Sequence, residues 1–113
     1  MWDWVSGNKP QFDLVTITPP WIYGPYGADL KSTKHLCESL SLLRSMVDGE
    51  GVVPFDFGGY ADAREISAAH VLARQVAEAG GQRFWVGQGF QYQSAIDTAK
   101  VRVPELEDRL PEG

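Results

Sequence analysis

Few side chains in this sequence are of types that carry out chemistry: two histidines, one cysteine and scattered carboxylates. Cys37 could act as a nucleophile, but no run of cations that would stabilise a thiolate surrounds it, which favours a small core residue. His70 lies on an apolar helical stripe, which favours a hydrogen-bonded core histidine over a metal ligand. Because no further His, Cys, Asp or Glu cluster completes a ligand set, we predict no metal site.

Asp62 and Arg64 lie two positions apart and could be taken for an acid–base pair. The pattern Asp62-x-x-Glu65 precedes an apolar stripe, however, and is typical of a capping box, in which a carboxylate accepts from the N–H groups of the first helical turn. We therefore predict a structural role for this pair and no catalytic residue in the chain.

The element expected to position any site is a strand over residues 12–18. Leu14, Val15 and Ile17 belong to an apolar, β-branched run that is typical of a strand covered on both faces of a parallel sheet. Pro19 ends the strand because it has no N–H for the ladder. A stiff aromatic turn follows, at the carboxyl end of the strand, where ligands bind in open α/β sheets. On the residues alone, a buried strand and an aromatic turn that packs against a neighbour are favoured.

The rest of the chain predicts further helices and strands, and hence an α/β fold. Apolar spacing predicts helices over residues 31–48 and 63–79, with Ser32 or Thr33 as N-cap of the first. Residues 1–6 are compatible with a helix, and residues 92–103 predict a weak one. Residues 52–57 predict a short extended segment, residues 83–87 a second buried strand, and residues 88–92 a loop.

The composition excludes several classes of function. Apolar residues make up 43% and charged residues 22% of the 113, an ordinary balance for a globular domain. The net charge of −5 argues against nucleic acid, whose phosphates require a basic surface. No apolar run is long enough to cross a bilayer, so we expect no membrane partner. The single cysteine excludes an internal disulfide and suits a reducing compartment, which predicts a cytoplasmic location.

Three blocks of sequence, in order, resemble one family. They are Phe-Asp-Leu-Val-Thr-Ile-x-Pro-Pro over residues 12–20, the Gly-Tyr-x-Asp-x-Arg block over residues 59–71, and the Gly-Gln-Arg-Phe and Pro-Glu-Leu blocks from residues 81 and 104. They resemble extended short-chain dehydrogenases/reductases, nearest to fungal NADPH-dependent ketone and aldehyde reductases of the methylglyoxal-reductase type and to plant dihydroflavonol reductases. The resemblance covers essentially the whole chain.

This resemblance implies the C-terminal part of a Rossmann-type NAD(P)-binding fold with the small substrate-binding subdomain, both incomplete. The implied cofactor is NADP, with NAD as the open alternative, and the implied substrate is a small aldehyde or ketone. Pro19 and the backbone of Ile22 would lie near the nicotinamide carboxamide, and Ser39 would contact the cofactor; a solvated hydroxyl is an equal alternative for Ser39. Trp21 and Tyr23 would face the substrate.

Two motifs of the family are missing from these residues: the Gly-rich phosphate-binding turn and the Tyr-x-x-x-Lys pair. We therefore expect residues 1–113 to be a single partial domain, an internal piece of a longer carbonyl reductase. Alone, it should be inactive and prone to self-association through exposed apolar surface. The alternative is a small, non-enzymatic α/β module that binds a partner.

Overall fold

The computed structural model describes residues 1–25, 27, 36–49, 51–54 and 58–112. Within these ranges the chain forms short helices and strands that alternate. In chain order they are α1 (Trp2–Asn8), β1 (Thr16–Thr18), β2 (Trp21–Tyr23), α2 (Glu38–Met46), β3 (Gly59–Asp62), α3 (Ala63–Gln75), a 3₁₀ turn (Ala77–Ala79), β4 (Arg83–Trp85), β5 (Gln88–Gly89), α4 (Tyr92–Arg102) and a 3₁₀ helix (Pro104–Arg109).

The described strands form two small sheets. Sheet A pairs β1 with β4 in parallel, with Ile17 opposite Phe84, and the Thr18 hydroxyl donates to the Phe84 carbonyl at 3.1 Å. Sheet B has the order β2-β3-β5, in which β2 and β3 are parallel and β3 and β5 antiparallel. Helices alternate with parallel strands along the chain, which confirms the predicted α/β class.

Pro19 and Pro20 carry the chain from sheet A to sheet B. The ring of Pro20 packs against two glycines: a Cβ added at Gly59 would lie 3.2 Å from it, and one added at Gly87 only 2.7 Å from it and 2.9 Å from the Tyr60 carbonyl oxygen. Gly59 and Gly87 can approach the Pro20 ring this closely because glycine has no side chain.

Helix α2 is shorter than predicted. It begins at Glu38 after an extended Cys37, and it ends at Met46 rather than at residue 48. Asp48 takes the left-handed conformation, with φ of 66°, and its N–H donates to the Arg109 carbonyl at 2.6 Å. The Arg109 guanidinium also bonds the Asp48 carboxylate through Nε at 2.8 Å and Nη2 at 2.6 Å. The C-terminal 3₁₀ helix thus fixes the end of α2, while the predicted N-caps Ser32 and Thr33 lie outside the described residues.

Helix α3 begins as predicted, at a cap formed by Asp62. The Asp62 carboxylate accepts from the backbone N–H of Arg64 at 2.7 Å and from the Arg64 guanidinium at 2.8 and 2.5 Å. The pair is therefore a helix cap joined to an ion pair, in agreement with the predicted structural role. The helix ends at Gln75, and a 3₁₀ turn over Ala77–Ala79 replaces its last predicted turn.

The buried core is small, and much apolar surface is left open. Its main cluster unites α2 and α4 through Met46, Tyr92 and Ile96. The radius of gyration is 18.2 Å, whereas a compact domain of this length would have one of about 13 Å. The prediction that β4 is buried is wrong, because Phe84 is 40% and Trp85 62% exposed along an open hollow between α3 and β4.

Other predictions depended on packing that the described residues do not provide. His70 is exposed rather than in the core, although its Nδ1 lies 2.7 Å from the Ile66 carbonyl oxygen. β2 occupies the predicted aromatic turn, and β5 the predicted loop, because each strand gains its hydrogen bonds from β3. Residues 52–54 form no strand.

Across the part of the chain that is described, no helix has the length and apolar character needed to span a membrane.

The contact between Pro20 and Gly87 gives a stability prediction. We expect Gly87→Ala to lower the free energy of unfolding by about 1–3 kcal/mol, because the new methyl group would overlap the Pro20 ring and the Tyr60 carbonyl. Gly89→Ala is the matched control, since a Cβ there meets no atom within 4 Å. Denaturant unfolding of both variants measures the difference, and equal losses would contradict the role of the close contact.

The cap at Asp62 gives a pH prediction. The hydrogen bonds from Arg64, side chain first and backbone second, lower the pKa of Asp62 from 3.8 to about 2. Since the folded pKa lies below the unfolded one, the stabilisation is present above about pH 4 and is lost as the pH falls toward 2. We expect Asp62→Asn to lower the melting temperature at pH 6, with a difference from wild type that shrinks between pH 4 and 2. Asp108→Asn serves as the control; a difference for Asp62→Asn that does not change with pH would contradict the prediction.

Candidate functional site

The structure brings two of the predicted cofactor residues together. Ser39 lies in the first turn of α2, is only 7% exposed, and its hydroxyl donates to the carbonyl oxygen of Ile22 at 3.4 Å. A solvated hydroxyl, the alternative for Ser39, is therefore wrong. Pro19 lies between β1 and β2, directly upstream of the strand that contains Ile22.

Cys37 adjoins this contact but is not the core residue that was predicted. It is the exposed residue that precedes α2, and its Sγ lies 3.4 Å from the Ser39 Oγ. The hydrogen bond to Ser39, followed by one to the backbone at Leu40, lowers the pKa of the Cys37 thiol. The apolar spacing of the helix did not indicate this position, because Cys37 precedes the helix rather than belonging to it.

The two predicted substrate residues share a face of sheet B. Successive side chains of a strand point to opposite faces, so Trp21 and Tyr23 lie on one face and Ile22 on the other. The parallel register places Trp21 beside Tyr60 of β3. In β2, the predicted cofactor residue Ile22 therefore lies on one face of the sheet, and the predicted substrate residues Trp21 and Tyr23 lie on the other.

An aromatic cluster, which the sequence did not reveal, extends this face. The ring of Phe90 lies 5.8 Å from that of Tyr23, 5.4 Å from that of Tyr60 and 5.0 Å from that of Tyr92, measured between centroids. All three distances lie within the range for favourable aromatic pairs. Phe90 comes from the predicted loop and Tyr60 from a strand that the sequence does not predict, and the pairing of β3 with β5 places them here.

The cluster forms one side of an open groove of about 810 Å³, which we call the aromatic groove. Its aromatic side consists of Tyr23, Tyr60 and Phe90, and its other side is lined by α4. The residues of α4 that line it are Ser94, Ala95, Thr98 and Ala99, and Leu43 of α2 also lines the groove. Trp21 is not among the lining residues, so the groove contains one of the two predicted substrate residues. Among the residues described, no three His, Cys, Asp or Glu side chains come together in a way that could hold a metal ion.

Several curated proteins similar to this chain are fungal reductases. The chain is 32% identical over 117 residues to the NADPH-dependent methylglyoxal reductase GRE2 of Saccharomyces cerevisiae, matching 99% of this chain and 34% of that protein. It is 34% identical over 115 residues to the ketoreductase azaE of Aspergillus niger, matching 96% of this chain and 34% of that protein. No protein-family model matches the chain.

Solved structures agree with the sequence comparison. The yeast methylglyoxal/isovaleraldehyde reductase Gre2 complexed with NADPH superposes with a TM-score of 0.88 and 32% identity, covering 99% of this chain and 34% of that one. Gre2 of Candida albicans in complex with NADPH gives a TM-score of 0.85 at 28% identity, again with 34% of that chain covered.

These similarities involve a limited part of each relative. The chain spans about a third of the length of the curated relatives that it matches. Its helices and parallel strands superpose on reductases with a Rossmann-type fold. The chain's homologues are therefore the fungal NADPH-dependent methylglyoxal reductases and ketoreductases of the short-chain dehydrogenase/reductase family.

Proposed function

We propose that this chain supplies the nicotinamide-facing wall and part of the substrate pocket of an NADPH-dependent carbonyl reductase. The observation that carries the proposal is the hydrogen bond from the buried Ser39 hydroxyl to the Ile22 carbonyl. It fixes the backbone of β2 at Ile22, which we propose for the cofactor and which lies between Trp21 and Tyr23, the residues proposed for the substrate. The reductase names of the relatives support the class of reaction and favour NADPH over NAD.

The residues present suit an amide group such as the nicotinamide carboxamide. Pro19 offers a rigid apolar ring, and the backbone at Ile22 offers the polar atoms that an amide requires. Because Ser39 has little exposed surface, we propose that it acts by orienting the Ile22 carbonyl rather than by broad contact with the cofactor. When bound, NADPH would supply the hydride. The role that we propose for this chain is to bind and orient the NADPH.

The substrate residues that we propose are Trp21 and Tyr23, which lie on the opposite side of β2 from Ile22. Their apolar ring faces suit the substituent of a small aldehyde or ketone. No general acid of the family type, a tyrosine four positions before a lysine, occurs in this sequence. We therefore propose that the catalytic acid and the phosphate-binding turn come from residues outside these 113.

The remaining proposals concern organisation and location. We propose that residues 1–113 act as a single partial domain and that the protein is cytoplasmic, which its one unpaired cysteine supports. A non-enzymatic interaction module is not favoured, because the curated relatives are reductases.

An activity experiment tests the proposed function. The 113-residue chain alone should oxidise no NADPH with an aldehyde above buffer, because loss of a general acid costs on the order of 10²–10⁴ in rate. A chimera of the yeast reductase whose matching third is replaced by this chain should oxidise NADPH. In the chimera, Ser39→Ala should raise the KM for NADPH by about two- to tenfold, the usual effect of one lost hydrogen bond.

The control in the chimera is Ser41→Ala, on the same helix. The Ser41 hydroxyl bonds the Leu36 carbonyl on an exposed surface, away from Ile22. A folded chimera with no NADPH oxidation, or equal KM values for the two serine variants, would refute the proposal.

The exposed apolar surface of the chain predicts self-association. Exposed Leu72, Val76 and Trp85 border the open hollow between α3 and β4, and such surface promotes association. We expect the purified chain to bind the dye ANS and to sediment as a concentration-dependent oligomer. Trp85→Lys should reduce both effects, whereas Val101→Lys, at an equally apolar and 77% exposed position on α4, should reduce them less. A monomer without dye binding would contradict this prediction.

A further inference from the structure

We propose that the aromatic groove binds the apolar body of a carbonyl compound and that the hydroxyl of Tyr60 donates a hydrogen bond to an oxygen of that ligand. The inference rests on the proposed function and adds to it: it names a second group of specificity-determining residues, Tyr60 and Phe90, beyond the strand that contains Trp21 and Tyr23.

The aromatic side of the groove is held in place. Phe90 contacts the rings of Tyr23, Tyr60 and Tyr92, and its backbone N–H donates to the Gly58 carbonyl at 3.0 Å. The three ring contacts restrict the rotamers of Phe90 and the backbone hydrogen bond holds its main chain, so this side offers a preorganised aromatic surface. A ligand that packs on it therefore loses little affinity to the ordering of protein side chains.

The side formed by α4 leaves space for a ligand. The groove-lining residues of this helix have small side chains, whereas the aromatic rings opposite are large. The resulting volume of about 810 Å³ lies within the range of small-molecule sites, roughly 300–1,000 Å³. An aromatic or branched aliphatic substituent fits such a space.

Tyr60 provides a directed polar group. Gln88 Nε2 donates to the Tyr60 hydroxyl oxygen at 2.8 Å, which uses one of its lone pairs and leaves its own proton to donate. A carbonyl or other acceptor oxygen is the complementary group. The combination of aromatic rings with the Tyr60 hydroxyl, and the absence of charged side chains from the described residues that line the groove, favours a small ketone with an apolar substituent over a charged ligand.

Ligand-observed NMR with acetophenone and the 113-residue chain tests the site without any cofactor. Thr98→Glu should weaken binding by about tenfold, because its carboxylate would have to be desolvated when an apolar ligand packs into the groove. Val101→Glu introduces the same residue on the same helix, outside the groove, and should change binding by no more than about twofold. Equal effects of the two substitutions, or no acetophenone binding by the folded chain, would overturn the proposal.

A second comparison tests the hydroxyl. Tyr60→Phe should weaken acetophenone by about two- to tenfold and leave ethylbenzene, which lacks the oxygen, unchanged. Equal losses for both ligands would overturn the role of Tyr60.

Ligand affinity that falls as protein concentration rises would show that a second copy occupies the groove, and would also overturn the proposal. The binding assay contains no NADPH, so loss of acetophenone binding and loss of NADPH oxidation by the chimera are independent outcomes.

Discussion

The packing of the Pro20 ring against Gly59 and Gly87 is the constraint on which the described structure depends. It determines where sheet A ends and sheet B begins, because the prolines leave the chain no freedom to continue the first ladder. β2 starts at the next residue and is thereby aligned with β3. The alternation along β2, the Ser39 contact on α2 and the aromatic face all follow from that alignment.

Elements with strong local signals could be predicted from the sequence. The cap at Asp62 and the helices α3 and α4 were predicted within a few residues, because capping and apolar spacing act within one or two turns. The strands β2, β3 and β5 were missed. Each has two to four residues, too few for a period to be visible, and each is held by hydrogen bonds to residues distant in the sequence.

The candidate site likewise contains some residues that the sequence indicated and others that it did not. Family resemblance indicated Pro19, Ile22 and Ser39, and the structure joins the last two by a hydrogen bond. Tyr60 and Phe90 were not indicated, because no sequence pattern around a single aromatic residue separates a packing role from a binding role. The predicted burial of Cys37 and His70 was wrong for a related reason: apolar spacing shows which side of a helix could be covered, but not whether another element covers it.

The pairing of sheet A also has a consequence for synthesis of the chain on the ribosome. The contact between β2 and α2 joins residues 17 positions apart, whereas Thr18 and its partner Phe84 are 66 positions apart. At typical elongation rates, Thr18 therefore waits about 3–13 s before its partner strand has even been made. During that interval the apolar run around β1 is an unpaired strand, a form that invites wrong pairing and is suited to capture by a chaperone. The β2–β3 pair of sheet B can form first, because both of its strands precede β4 in the chain, whereas Phe90 of the aromatic cluster is made after β4.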